Sequence, residues 1–557
     1  MGKQDLLKGL TKESLNRILT HPYYAECMKF MNEKVDEFLQ SDPPYVTYTA
    51  MEGYYRGGSR DPYSKIYWDY TGRVSRFLFK YIETGDDIYV EKVKDLVWNI
   101  CGWESWSNVA HIAEDLPLER RRIYLDLSST ALSHSLCLVV RYMGDKLPPL
   151  VLNRLKASIR ERTIDSYRDN DNYWWMRCKL NWAAVCTSNI MAVYMYEATE
   201  EELEEQLPRM LKTLECYVEG FDEEGCCAEG YGYWNYGFSH YCLAGELLLE
   251  YTDGKINLFD NPKIHKIALF QQNAAINDKQ TIPFSDGGFT FAPNAPLSHF
   301  LKKKYPDVEI PDIEYGKTSA SIRDMLWADP DLVGSKMNPK SNIYIGTQWF
   351  IYRSENYNLA CKGGYNNEPH NHNDIGSFVI SKGGVASFTD GGGGEYTKQY
   401  FDPPTRYSHL VTSSYGHSVP IINGEGQVTG NRKSEIIRAV ENNFTYTLHN
   451  GYEIEGLETL VRDFNCLEDG VVITDSYKFS KAPDSVVERF ISTSEPEITE
   501  EGIKVENNLL TFDKEVFEAT VTSELVWRPG HKQTPLYLTD LKVKRPTAEF
   551  SVSVKIV

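Results

Sequence analysis

Positive charge is what this sequence has least of: 59 Lys and Arg stand against 79 Asp and Glu, a net charge of −20 over 557 residues. A protein that holds nucleic acid by neutralising phosphates needs the opposite balance, so that class is excluded. An anionic ligand would require basic residues gathered locally. Arg177 with Lys179, Arg406, and Arg120–Arg122 are the places where they gather, the last reading as a solvated helix face. No run is long and apolar enough to cross a bilayer. The stretch Met1–Lys8 has no apolar signal core, so the expectation is a cytoplasmic protein without a membrane partner. The eleven cysteines, an odd number, have no CxxC spacing, which points to reduced thiols rather than a disulfide framework. Sequence repeats are not visible.

Aromatic residues, by contrast, are abundant, with 37 Tyr and 11 Trp. Such rings serve as stacking platforms for sugars as well as packing in cores. The length exceeds one core and implies two to four domains. Up to about residue 325 the pattern predicts helix after helix, among them Asp5 to Leu19, Tyr63 to Glu83, Ile123 to Tyr142, Trp182 to Glu197, Glu201 to Val218 and Tyr236 to Tyr251. Thr199-Glu-Glu-Glu202 resembles a capping box. Many helices of similar length without strands suggest stacked hairpins, in a solenoid or a closed toroid. Beyond about residue 340 the texture changes to short β-type runs with Gly, Asn, Asp and Pro at the turns, as in an antiparallel sandwich. The expected division is 1–330 and 331–557.

The most informative stretch is Glu368-Pro-His-Asn-His-Asn-Asp374, followed by the apolar Ile375–Ile380. Two histidines two apart, read as extended chain, place both imidazoles on one face. Asp390 follows another strand-like run, beside the glycine run Gly391–Gly394, and His417 precedes Val419-Pro-Ile-Ile422. Two His and one Asp from separate strand ends match what a zinc-type ion takes from nitrogen and oxygen ligands. The bland alternative is a pair of polar loop histidines and an unrelated turn Asp.

In the helical half, Asn181 stands where it caps a helix or presents an amide. Glu229-Gly-Tyr-Gly-Tyr233-Trp-Asn-Tyr236 sets two phenols three apart, on one helical face if helical. These parts suit β-elimination on a uronic-acid sugar. That reaction needs donors to neutralise the carboxylate, a base near the ring proton and an acid near the leaving oxygen. Asn and His can do the first. Tyr or His can do the others, and a Tyr whose pKa is lowered by positive charge can do both in turn.

On Glu229-Gly-x-x-Tyr233, His370-Asn-His372-Asn-Asp374, Asp390-Gly, Arg406-Tyr407 and Tyr415-Gly-His417 through Gln427, the chain resembles the heparinase II/III-like polysaccharide lyases. This group includes certain alginate and chondroitin lyases. The resemblance runs from roughly residue 120 to the end. It implies a multidomain α + β protein, with an N-terminal (α/α) toroid, a C-terminal antiparallel β-sandwich and the active cleft between them. By position, Asn181 would neutralise the uronate carboxylate, and His370 would assist or act as base. Tyr233 would be the proton donor or acceptor, with Tyr236 its rival, and Tyr407 a second catalytic phenol. Arg406 would bind substrate. A divalent metal, Zn²⁺ by its ligands and mainly structural, would be held by His372, Asp390 and His417. The implied partner is an acidic oligosaccharide or polysaccharide. Oligomeric state, homo-oligomers included, stays open. One departure is Trp182, where some relatives have a His after the neutralising Asn. Two rival readings remain: a glycoside hydrolase using Glu229 and Asp286 as its carboxylate pair, and a glycan-binding protein without catalysis.

Overall fold

The computed structural model describes residues 9–314, 316, 318–319 and 321–557. The chain divides into two compact units. One comprises the residues up to Gly220 with Trp234–Ala268 and Pro293–Lys336; the other comprises Phe221–Tyr233, Leu269–Ala292 and Met337–Val557. The second unit thus takes in two segments from the part of the sequence expected to be wholly helical. The reason is polar. The carboxylate of Asp222 accepts from the backbone N–H and hydroxyl of Thr347, at 3.2 and 3.0 Å. Asn358 and Arg353 donate to the carbonyls of Ile276 and Asn273, both at 2.8 Å. These loops find their hydrogen-bond partners among the strands, and Tyr233 and Asp286 come with them.

The first unit is built from helices that pack in consecutive pairs, such as Asp61–Thr84 with Ile88–Gly102, and Asn181–Glu197 with Glu200–Val218. Local chemistry fixes their starts. Asp126 caps Leu127–Met143 by accepting from the Ser129 N–H at 2.7 Å. Thr199 and Glu202 form the expected reciprocal capping box. Asn181–Glu197 is buried almost all round, from Ala183 to Met195, as an apolar central helix must be. Of the expected Asp5 to Leu19 helix, the described part is Lys12–Leu19, and residues 5–8 lie outside the described residues. The helix expected from Tyr236 begins at Tyr231, so Tyr233 stands in its first turn. Among the described residues no helix is long and apolar enough to cross a membrane.

The second unit holds three antiparallel sheets of five, eight and four strands. The five-stranded sheet runs in chain order through Asn342–Tyr344, Trp349–Arg353, Asn358–Lys362, Phe378–Lys382 and Val385–Ala386. Its first two strands are separated by a tight turn whose Gln348 has φ +55°. In the eight-stranded sheet, Leu457–Cys466 pairs with Val471–Phe479, with Arg462 directly opposite Asp475. The two-residue period of Val471–Phe479 turns Asp475 inward with Val471, Ile473, Tyr477 and Phe479.

A charge in that core requires a partner. Arg462, fully buried, donates to Asp475 at 2.8 Å and to Glu488 at 3.2 Å. Burial pushes the guanidinium towards neutrality, and the two carboxylates outweigh it. Its remaining N–H groups reach the carbonyls of Gly376 at 2.9 Å and Ser418 at 2.7 Å. Those residues follow the His370–Asp374 motif and His417, so a sandwich-core arginine anchors both segments that carry the histidines. Arg462→Ala would leave two buried carboxylates facing each other. It is expected to cost about 3–5 kcal/mol of stability, read from denaturant unfolding, and a loss below about 1 kcal/mol would contradict this role.

Candidate active site

The chemistry-bearing side chains of the second unit converge on Asp286, whose side chain is fully buried. Its Oδ2 accepts from His370 Nδ1 at 2.6 Å and from the Arg406 guanidinium at 3.1 Å. Its Oδ1 faces His372 Nε2 at 2.9 Å and accepts from the Tyr400 hydroxyl. Burial alone would raise this carboxyl. Hydrogen bonds from His370 and then His372 outweigh burial and hold it well below the usual carboxylate range. The backbone around it is correspondingly tight. Ser285 has φ +60°, and a Cβ at Gly393 would lie 3.1 Å from the Asp286 carbonyl oxygen. The glycine run is therefore a close-approach segment.

His370 also has a left-handed backbone, φ +55°, so the His-Asn-His stretch is a loop rather than the extended chain expected, and the strand begins at Phe378. Strain of this kind at a non-glycine residue collects at functional sites. The turn lets the two imidazoles reach the two oxygens of one carboxylate. In the neutral form of the His370 ring, an Nδ1–H donating to Asp286 leaves Nε2 as the acceptor. That nitrogen lies 3.5 Å from Glu229 Oε1. The Tyr233 ring packs on His370 with centroids 4.4 Å apart, its hydroxyl 3.3 Å from Nδ1. The same hydroxyl is hydrogen-bonded to the Tyr396 hydroxyl. The Tyr233 phenol is not lowered, as positive charge would make it; burial, then the charges of Tyr396 and Asp286, push it well up. It therefore stands as a proton donor.

Beside this group His372, Asp374, Asp390 and His417, all buried, bring their ligand atoms within 4.8 Å of one another. His372 Nδ1 and Asp374 Oδ2 are buried with no hydrogen-bond partner among the described residues. His417 directs Nε2 to the Val411 carbonyl at 2.9 Å, leaving Nδ1 towards Asp390 at 2.8 Å. A nitrogen and an oxygen left orphaned inside a set of two imidazoles and two carboxylates fit a zinc-type cation. Asp286 would then be the outer carboxylate that orients His372. Lys362, buried and 2.8 Å from Asp374 Oδ1, offsets part of the negative charge.

The other expected site residues are distributed as follows. Asn181 belongs to the helical unit, where Leu180 rather than Asn181 occupies the cap position. Its residue is buried, and its amide has no hydrogen-bond partner among the described residues. Tyr236 is also in that unit, with its ring edge-on to His240. Of the two rival phenols, Tyr233 is the one bonded to the His370 cluster. Arg406, expected to bind substrate, is buried, and its guanidinium is engaged by Asp286 and the carbonyls of Asn371 and Tyr400. It positions Asp286 instead. Tyr407 caps the short helix Pro403–Arg406 and is not one of the phenols bonded into this cluster, where Tyr233, Tyr396 and Tyr400 are. Sequence reasoning missed Tyr396, Tyr400 and Asp374, and it placed Asp286 only as half of a hydrolase pair. The tyrosines' proximity to the glycine run, and Asp374's place inside the histidine motif, were the available signals.

No family model matches the chain, and no curated protein sequence matches it. Solved structures do. A heparinase III superposes with a TM-score of 0.63 at 13% identity, over 99% of this chain and 93% of that one. The heparan sulfate lyase HepC of Pedobacter heparinus gives 0.57 at 12%, over 98% and 92%. The chondroitin AC lyase of Streptomyces coelicolor A3, solved in complex with chondroitin sulphate, gives 0.53 at 9%, over 93% and 80%. The chain has the fold of the heparinase- and chondroitinase-type polysaccharide lyases, an (α/α) toroid and an antiparallel β-sandwich, as its motifs imply. At such identities the likeness establishes the fold alone.

Removing the hub strands its donors. Asp286→Ala would leave two histidines, a phenol and a guanidinium unanswered and is expected to cost about 3–5 kcal/mol in chemical denaturation. Wild-type stability in that variant would show that the convergence on Asp286 carries no weight.

Proposed function

We propose that the protein is a lyase that cleaves uronic-acid-containing oligosaccharides or polysaccharides by β-elimination, leaving an unsaturated uronate at the new end. The observation that carries this reading is the Tyr233–His370–Asp286 chain. It sets a protonated phenol against an imidazole whose tautomer is fixed by a buried carboxylate. His370 Nε2 takes the ring proton next to the carboxylate. The electron pair left on that carbon forms the new double bond, and the bond to the glycosidic oxygen breaks. The Tyr233 hydroxyl gives that oxygen its proton, and Tyr396, bonded to Tyr233, orients it. Asn181 is assigned to the uronate carboxylate because of its residue type and its unbonded amide. His372, Asp374, Asp390 and His417 would hold a divalent ion, which supplies a cross-link between the segments that carry His370 and its supports.

The hydrolase alternative requires Asp286 as a working carboxylate. With both oxygens already engaged by four side chains and its proton affinity pushed down, it is a poor candidate for that role. The binding-protein alternative gives no reason for a phenol–imidazole chain anchored on a buried carboxylate.

Incubation with uronate oligosaccharides should produce absorbance near 235 nm, roughly where conjugated uronates absorb; a hydrolase would give new reducing ends without it. Tyr233→Phe, which retains the ring packing, is expected to lower kcat by roughly 10²–10⁴-fold with little change in melting temperature. Undiminished turnover would remove Tyr233 from the mechanism. The purified protein should carry about one equivalent of divalent metal by elemental analysis, and His417→Ala should weaken its retention by at least about tenfold. Wild-type protein that binds no metal and does not melt earlier on chelation would contradict the assignment.

A further inference from the structure

A cavity-lining cation stands apart from the groups used above. Within the strand unit, a cavity of about 530 Å³ is walled by Gly287 and Gly288, Gly394 and Tyr396, Thr493, and Arg528 at the end of strand Phe517–Arg528. Its volume is that of a small-molecule site. Arg528 is only 9% exposed. It donates Nε to Thr534 Oγ1 at 3.1 Å and one terminal nitrogen to the carbonyls of Gly391 and Gly393, the latter at 3.1 Å. The other terminal nitrogen is buried with no partner, and no carboxylate pairs with this guanidinium among the described residues. A buried arginine is ordinarily paired, and its planar fork suits oxyanions. Asp286, also in the wall, cannot serve as its counter-ion, because both carboxylate oxygens are engaged by His370, His372, Tyr400 and Arg406. Burial pushes the Arg528 pKa down, as expected where a cation lacks a counter-charge. Tyr396 belongs to both places, lining the cavity and bonding to Tyr233.

We propose that this cavity is a subsite for an anionic substituent, a carboxylate or a sulfate, on a saccharide unit next to the one that is cleaved, with Arg528 as its recognition residue. The proposal rests on the lyase reading above. An incoming oxyanion supplies the acceptor that the buried nitrogen lacks. The glycine walls let the sugar approach: a Cβ at Gly288 would meet nothing within 4 Å, so space is open there.

The test titrates the wild type, Arg528→Gln and Gly288→Glu with an unsulfated uronate tetrasaccharide, its O-sulfated counterpart and inorganic sulfate. Dissociation constants come from calorimetry, and 235 nm absorbance is followed in parallel. Gly288 is exposed, and its backbone does not demand glycine, so Gly288→Glu adds negative charge at the cavity even if Arg528→Gln fails to fold. Both variants are expected to bind the preferred tetrasaccharide on the order of tenfold or more weakly. If the wild type favours the sulfated chain, if inorganic sulfate competes with it, and if the variants erase the preference, the group is sulfate. If the wild type binds the two chains alike and the variants weaken both, it is carboxylate. Folded variants that bind both chains as the wild type does would overturn the proposal, as would a wild type that binds neither. Binding without 235 nm absorbance would sink the lyase reading alone, and cleavage with unaltered binding in the variants would sink this proposal alone.

Discussion

Asp286 carries a negative charge where water is excluded, and both of its oxygens must be met by donors supplied from elsewhere in the chain. A lone carboxylate in such a place would become protonated or unfold its surroundings. Here His370, His372, Tyr400 and Arg406 share it, from sequence positions 84 to 120 residues away. Because one carboxylate serves all four, the orientation of the imidazole at the candidate active centre is tied to that of the imidazole in the metal-type cluster. Disturbing either is felt by the other through a single buried group.

The sandwich supports this arrangement from below. Arg462 holds two inward acidic side chains, Asp475 and Glu488, and spends its remaining donors on the backbone just after each histidine segment. The result is a graded structure: an ionic knot in a strand core, a carboxylate hub, then a phenol and an imidazole whose Nε2 stands 3.5 Å from Glu229 Oε1. Arg406, which sequence motifs suggest as a substrate ligand, belongs to the supporting tier. Arg528, a buried cation with an unanswered nitrogen, has the open valence that a ligand-binding arginine needs.

The architecture was largely legible in the sequence because it depends on periodicity. Helices such as Glu200–Val218 and strands such as Val471–Phe479 show their spacing and caps directly. The histidine motif was legible as a motif, but its backbone was not. Nothing in the alternation of Glu368 to Asp374 signals the left-handed turn at His370, because that turn is imposed by Asp286 from a distant loop. The same distance hid the role of Asp286 and the membership of 221–233 and 269–292 in the strand unit. Residue type left Tyr233 open as proton donor or acceptor; burial, then the charges of Tyr396 and Asp286, raise its proton affinity and decide for donor. Residue types announced the chemistry, while tertiary placement decided which of them carry it.

The central claim is that Asp286 fixes the His370 ring with its proton on Nδ1, so that Nε2 faces substrate as an acceptor. Nitrogen NMR of histidine-labelled protein, with His370 assigned by its loss in a His370→Gln variant, reads this directly. In the neutral ring the account predicts a protonated Nδ1 and a bare Nε2, an arrangement that Asp286→Asn scrambles. A neutral ring with its proton on Nε2, or a tautomer indifferent to Asp286→Asn, would contradict it.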